Sequence, residues 1–364
     1  MGTTAVNDTK LLSEFRLGRE RLANRIVMPP MVTWKAGKDG TVTDDHLEHY
    51  RECGGAGLTV VEATAVSPEG RLAATELGLF DDGQIPGMRR LAATISETGS
   101  LPGIQLNHAG GRTNTARTYG LTPLVVSATP ETDPEKRELE AADIERILSD
   151  FAEAASRAVT AGFRLIELHG AHGYLGSQFL SPRTNHRNDG WGGRFEKRVR
   201  FLTELIRRVR TAVGEQVLLS VRLGVAEAAP DGLALEEGMR AAELLAREGL
   251  DALHVSHAGG PPAPIDPDSP YDALLQPAKP ARERVAVPVI GIGGMKTPEE
   301  AEGALEEGIC DLIAVGRAIL ADPRWVRKTV AGRESEIVLC EDCKPRCFHY
   351  SEPSRCPARA RSAR

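Results

Sequence analysis

The chain has 364 residues, 41% of them hydrophobic and 26% charged, which supplies enough apolar mass for one large core or two ordinary ones. A net charge of −6 argues against a broad surface for nucleic acid or anionic membrane. No apolar run approaches the roughly 18–20 residues that cross a bilayer.

Met1–Lys10 lacks the basic and apolar regions of a signal peptide, and Val6 stands where a myristoylation motif requires Ser or Thr, so the expected location is cytoplasmic. Short apolar runs rich in β-branched residues then recur: Ile26–Met31, Leu58–Val66, Gly103–His108, Arg164–His169, Val217–Leu223, Ala252–Ser256, Val289–Gly293 and Leu312–Val315. Amphipathic helix patterns separate them, including Asp143–Ala161, Arg194–Val213, Leu235–Glu248 and Thr297–Glu307. Strands of this type, alternating with helices, imply a parallel sheet buried on both faces. Eight units favour a closed (β/α)8 TIM barrel, an α/β fold, over an open sheet. The open sheet would want a G-x-G-x-x-G turn after its first strand, where Met28-Pro29-Pro30-Met31 stands instead. The expected division is a barrel over residues 1–335 and a short Cys-rich extension over 336–364. Arg355, Arg359, Arg361 and Arg364 are expected to form a solvated basic end.

Chemistry in such barrels sits at the C-terminal ends of the strands. The unusual polar residues fall there: Gln105 and His108, His169 and His172, Arg222, His257, and Arg317 after Gly316. Gly293-Gly294 and Gly316-Arg317 end the seventh and eighth strands, where backbone amides, a helix start and a cation suit a phosphate. Tight turns are the simpler reading of the glycines. Arg222 ends an apolar strand, so its guanidinium must meet an anion, a strong acceptor or a structural carboxylate. Gln105 offers donors and an acceptor. His169 and His172, with Tyr174 beside them, are suited to hold a carbonyl or anionic oxygen while the phenol gives a proton. A metal pair or a structural role are the alternatives.

These residues belong to longer motifs. They are Asn24-Arg25-Ile26-Val27-Met28-Pro29-Pro30-Met31, Glu62-Ala63-Thr64-Ala65-Val66, Gln105-Leu106-Asn107-His108-Ala109-Gly110 and His169-Gly170-Ala171-His172-Gly173-Tyr174-Leu175. The last continues through Gln178–Pro182, Thr184-Asn185, Arg187 and Trp191-Gly192-Gly193 to Arg198, and Gly293-Gly294 with Gly316-Arg317-Ala318 close the set. From about Phe15 to Arg333 the chain resembles the Old Yellow Enzyme family of NADH:flavin oxidoreductases. The resemblance implies FMN across the barrel mouth, lined by Pro30, Met31 and Ala63, with Gln105 and Arg222 on the isoalloxazine. Gly293, Gly294, Gly316 and Arg317 would hold its phosphate. His169 and His172 would take the oxygen of a small-molecule substrate, and Tyr174 would protonate an activated C=C bond of enone, enoate or dienoyl type. Val32 stands where many relatives have Thr or Cys, with Thr33 the nearest hydroxyl.

The spacing Cys340-x2-Cys343-x3-Cys347-x8-Cys356 reads as metal ligation, by a [4Fe–4S] cluster or zinc, whereas Cys53 and Cys310 read as core residues. The cluster resembles that of the 2,4-dienoyl-CoA reductase and trimethylamine dehydrogenase branch, which implies iron–sulfur. Electrons would then come from NAD(P)H or from a separate reductase or ferredoxin-like partner; self-association into a homo-oligomer is also an expectation. Oxidative C–N cleavage of an amine is the alternative reaction, with Trp34, Tyr119 and Tyr271 the aromatics available to surround a cation. A non-catalytic flavin- or zinc-binding module and a flavin-free phosphate-binding barrel are the readings from other classes. Gly259–Pro270 is expected to be a loop over the site.

Overall fold

Eight short runs with buried residues on both faces close on themselves in the computed structural model, which describes residues 9–260, 263–343, 347 and 355–362. They are β1 (Ile26–Met28), β2 (Leu58–Ala65), β3 (Leu101–Asn107), β4 (Leu165–Gly170), β5 (Leu218–Gly224), β6 (Ala252–Ser256), β7 (Val289–Ile292) and β8 (Leu312–Ala314). Each pairs in parallel with the next. Closure comes from β8 on β1 (Ile313 opposite Ile26) and β1 on β2 (Val27 opposite Leu58). This is the (β/α)8 barrel expected from the alternation of patterns.

The barrel interior is packed rather than open. Val27, Leu58, Val60, Leu165, Leu218, Ile290 and Leu312 fill it, joined by Leu17 and Leu22 from the antiparallel hairpin Phe15–Leu17/Glu20–Leu22. The hairpin plugs the N-terminal end and leaves the opposite end for a site. Outside, the helix Ala141–Ala161 turns Ile144, Ile147, Leu148, Phe151, Ala154, Ala155 and Ala158 inward, the stripe expected at 3.6 residues per turn. It stops at Gly162, whose φ of +100° only glycine adopts without strain.

The Arg194–Val213 pattern is two helices, Phe195–Arg198 and Arg200–Val213. Arg198 lies at the break, where its buried guanidinium donates to Leu180 O (2.9 Å) and Gly193 O (2.7 Å) and pairs with Glu237 (2.6 Å). The helices Asp44–Glu52, Ile85–Glu97 and Ala278–Arg284 were not foreseen.

The basic end is solvated only in part. Arg355 and Arg361 are exposed, but Pro357–Ser362 is helical, Ala358 is buried, and Arg359 pairs with Glu52 (2.7 Å) and Arg361 with Glu341 (2.5 Å). Arg364, like Met1–Asp8 of the N-terminal segment, lies outside the described residues. No helix among the described residues is long and apolar enough to cross a membrane.

Candidate active site

At the C-terminal mouth a cavity of about 450 Å³ is lined by most of the barrel residues singled out above; His108 is buried and does not reach it. Pro30 and Met31 follow β1, Ala63 lies in β2, Gln105 in β3, His169 in β4 with His172 and Tyr174 just after it, and Arg222 in β5, while Gly293, Gly294, Gly316 and Arg317 follow β7 and β8 across the barrel from β4.

The β1–β2 side is held by a buried carboxylate. Glu62 of β2 accepts from the Thr33 backbone N–H, from Thr33 Oγ1 (3.0 Å) and from His46 Nε2 (3.2 Å). This fixes the turn after β1. It also takes the Thr33 hydroxyl away from the cavity, so Thr33 does not replace the hydroxyl or thiol missing at Val32, which itself lines the cavity.

After β7, Gly293 and Gly294 have φ of +153° and +69°, conformations that side chains other than glycine's disfavour. A Cβ on Gly294 would stand 2.9 Å from Asp272 Cβ. Lys296 and Arg317 add two cations, and Asp342 pairs with both, at 2.6 Å from Arg317 Nη1. Bared backbone beside two cations fits a phosphate monoester. The helix Pro298–Glu306 does not help as expected. Its Thr297 hydroxyl accepts from Glu300 N (3.2 Å), while Glu300 accepts from Lys296 N and Thr297 N, so the cap is already filled by its own side chains. Lys296 and Asp342 were missed because nothing in their local pattern marks them.

Across the cavity runs a chain of hydrogen bonds. His169 Nδ1 meets Asn107 Oδ1 (2.9 Å), His169 Nε2 meets His172 Nδ1 (2.9 Å), and His172 Nε2 meets Ser256 Oγ (2.8 Å). Asn107 turns its NH2 toward Glu76, so its oxygen accepts from His169. His169 Nε2 then accepts from His172, and His172 Nε2 from the Ser256 hydroxyl. The two rings are hydrogen-bonded to each other, and an incoming carbonyl or anionic oxygen could only accept from an imidazole N–H, displacing the acceptor that N–H now meets. Burial, then the Arg222 charge, hold both imidazoles well below their ordinary pKa. Tyr174 has its ring 4.9 Å from that of His169, and burial raises its pKa against the pull of Arg112. A neutral phenol beside neutral imidazoles is a competent proton donor at neutral pH. His257, 4.7 Å from His172 ring to ring, also lines the cavity.

These histidines make stability depend on pH. Burial lowers the pKa of His108 and His257 to about 4, and lowers those of His169, His172 and His254 as well. The unfolded chain therefore binds their protons first, near pH 6.5. Their contribution is complete above that value and lost as pH falls from 6.5 toward about 4, opposed in part by Asp150, raised by burial to about 6. The urea midpoint at pH 5 should lie below that at pH 7.5; an equal or higher midpoint would contradict this.

Tyr119 packs against Arg71 and Lys38, Tyr271 lies beside Glu307, and Trp34 packs with Val32 and Tyr174 against Leu72; none of the three lines the cavity. Among the described residues Tyr174 is the only Phe, Trp or Tyr that does. Of the Gly259–Pro270 segment, Pro261 and Pro262 lie outside the described residues, and the lining on that side comes from Leu274 instead.

Cys340, Cys343, Cys347 and Cys356 together line a second cavity of about 40 Å³, next to the first; Arg317, Cys340 and Asp342 line both. The donor set suits a thiolate-bound metal. As the side chains stand, no group of three or more His, Cys, Asp or Glu among the described residues is placed to hold a metal ion. Cys53 and Cys310 are buried, and burial pushes both thiols up to about 12, as core residues should be.

Residues 10–336 match the NADH:flavin oxidoreductase / NADH oxidase family. An NADH oxidase of Thermoanaerobacter brockii is 42% identical over 351 residues, covering 93% of this chain and 53% of the relative. An NADPH dehydrogenase of Geobacillus thermodenitrificans is 37% identical over 323 residues, covering 87% of this chain and 93% of the relative. Among solved structures, a 2-naphthoyl-CoA reductase complexed with 2-naphthoyl-CoA superposes with a TM-score of 0.87 at 27% identity, over 95% of this chain and 55% of that one. A histamine dehydrogenase from Rhizobium sp. 4-9 gives 0.81 at 29%, over 92% and 50%. An Old Yellow Enzyme homologue from Zymomonas mobilis gives 0.78 at 28%, over 89% and 93%. The chain thus spans about half the length of the Thermoanaerobacter NADH oxidase and of the first two structures, and nearly the whole of the other two proteins.

Proposed function

Because the chain belongs to the NADH:flavin oxidoreductase / NADH oxidase family, the Old Yellow Enzyme family, we propose that it is an FMN-dependent oxidoreductase that reduces activated C=C bonds with electrons from NAD(P)H. The observation that carries this reading is one cavity holding, on opposite sides of the barrel, a two-cation glycine cradle for a phosphate and a Tyr174–His169–His172 cluster for an oxygen-bearing acceptor. When bound, FMN would supply the hydride chemistry. Pro30, Met31 and Ala63 would line the flavin, Gln105 and Arg222 would contact its ring, and Gly293, Gly294, Gly316, Arg317 and Lys296 would bind its phosphate. His169 and His172 would hold the activating oxygen by giving up a bond of their chain, and Tyr174 would deliver the proton.

In this reading residues 1–335 are the catalytic unit and the four cysteines of 336–364 hold a [4Fe–4S] cluster, with zinc the alternative. The support is that all four thiols surround one cavity sharing a wall with the larger one. A separate electron-transfer protein is then a candidate partner. Iron, zinc and acid-labile sulfide analysis of anaerobically purified protein separates the metals. Equimolar zinc without sulfide would overturn the cluster, and Cys340→Ser should abolish whichever metal is found.

The function is tested by mixing the FMN-loaded protein anaerobically with NADH or NADPH, then with cyclohexenone. Bleaching of the flavin by a nicotinamide and its reoxidation by the enone are expected. Failure of reoxidation by enones, enoates and nitroalkenes alike would overturn the assignment.

A further inference from the structure

Hydrogen-bonded to Gln105 is a charged group that the proposed reaction leaves unused. Glu167 sits in β4, two residues before His169, with no exposed surface. Its Oε1 accepts from Gln105 Nε2 at 2.9 Å and its Oε2 from His254 Nδ1 at 2.9 Å, so β3 and β6 each supply a donor. Arg222 of β5 stands in register with His169 on one side and His254 on the other, beside the same carboxylate. Burial alone would raise the Glu167 pKa, but the facing His254 ring and its hydrogen bond, Arg222 and Gln105 outweigh burial and keep it below the usual value. His254 moves down under its own burial, so it faces Glu167 as a neutral ring donating Nδ1–H.

A buried carboxylate with two donors is often only structural. Here the donors decide something more. An ionised carboxylate can only accept, so Gln105 must turn its nitrogen to Glu167, and its carbonyl oxygen is the atom left for the cavity that Gln105 lines. The Arg222 guanidinium lines the same cavity above this negative charge. An arginine facing a ring that becomes anionic on reduction favours the reduced form, and a nearby carboxylate tempers that preference.

We propose that Glu167 is a positioning residue for the flavin: it locks Gln105 with its carbonyl presented to the ring edge, and its charge offsets Arg222 and so sets the flavin's reduction potential. This rests on the reading of the cavity as an FMN site. It predicts that Glu167→Gln, which keeps the shape and removes the charge, favours reduced over oxidised FMN about tenfold, a rise of about 30 mV for a two-electron couple. Glu167→Asp keeps the charge but shortens the reach. It should bind oxidised FMN about tenfold more weakly, as expected when a charge-assisted hydrogen bond is lost, with little change in potential.

The experiment measures the potential by anaerobic titration and FMN affinity by flavin fluorescence quenching, in the wild type and both variants. A raised potential for Glu167→Gln together with a near-native one for Glu167→Asp supports the inference. Equal potentials in all three proteins, with FMN bound normally, would leave Glu167 a purely structural residue and overturn it, as would an equal rise in both variants. If Glu167→Gln does not fold, a Glu167→Asp protein with native FMN affinity overturns the locking of Gln105, and one with weakened affinity and native potential supports it. Wild-type protein that binds no FMN overturns the proposed function as well, which separates the two failures.

Discussion

Tyr174→Phe should slow reduction of an enone by the reduced enzyme by about 10²- to 10⁴-fold, the range for loss of a positioned general acid, while the rate of flavin reduction by NAD(P)H stays near native. The phenol lies among His169, His172 and Arg112, with its pKa raised by burial, so it is protonated at neutral pH, as the proposed donor must be. Phe keeps the ring packing against the Ala63, Leu72 and Ala109 cluster and removes only the hydroxyl. Stopped-flow measurement of the two half-reactions separates the effects. An unchanged oxidative half-reaction would mean that a group other than Tyr174 gives the proton.

Arg317→Gln should weaken FMN binding by about 10- to 100-fold, the range for losing a hydrogen bond to a charged group, and should leave riboflavin binding nearly unchanged. Riboflavin has no phosphate, so the contrast reports on the β7–β8 side of the cavity alone. Lys296 remains and keeps the loss from being total, because Asp342 pairs with both cations and a phosphate would share them with it. Equal losses for FMN and riboflavin would mean that Arg317 supports the ring and that the phosphate lies elsewhere.

The barrel was legible because its strands are buried on both faces and so read as unbroken apolar runs between helical patterns; Leu218–Gly224 and Ala252–Ser256 needed no partner to be seen. Asp44–Glu52 went unseen because it is short and mostly polar, and takes its inward face from His46, Leu47, His49 and Tyr50. Gln105, His169, Arg222 and Arg317 stood out as polar residues at the ends of apolar strands, where burying them without a partner would be unfavourable. What stayed hidden were partnerships across the barrel. His169 and His172 are paired with each other through a chain anchored by Asn107 and Ser256, residues 62 and 84 positions from their imidazole partners. Asp342 reaches back 25 positions to Arg317, and a one-dimensional pattern carries no trace of that pairing. The pairing of Arg359 stayed hidden for the same reason, since Glu52 lies 307 positions away.

On the proposed reading, the mouth of this barrel binds FMN. The most direct test is the flavin content of the purified chain, read by absorption and by release of the cofactor after denaturation, before and after incubation with FMN. An equimolar amount of FMN is the predicted result, with affinity falling in Arg317→Gln. No bound flavin after reconstitution, in protein whose thermal unfolding shows it to be folded, would contradict the account.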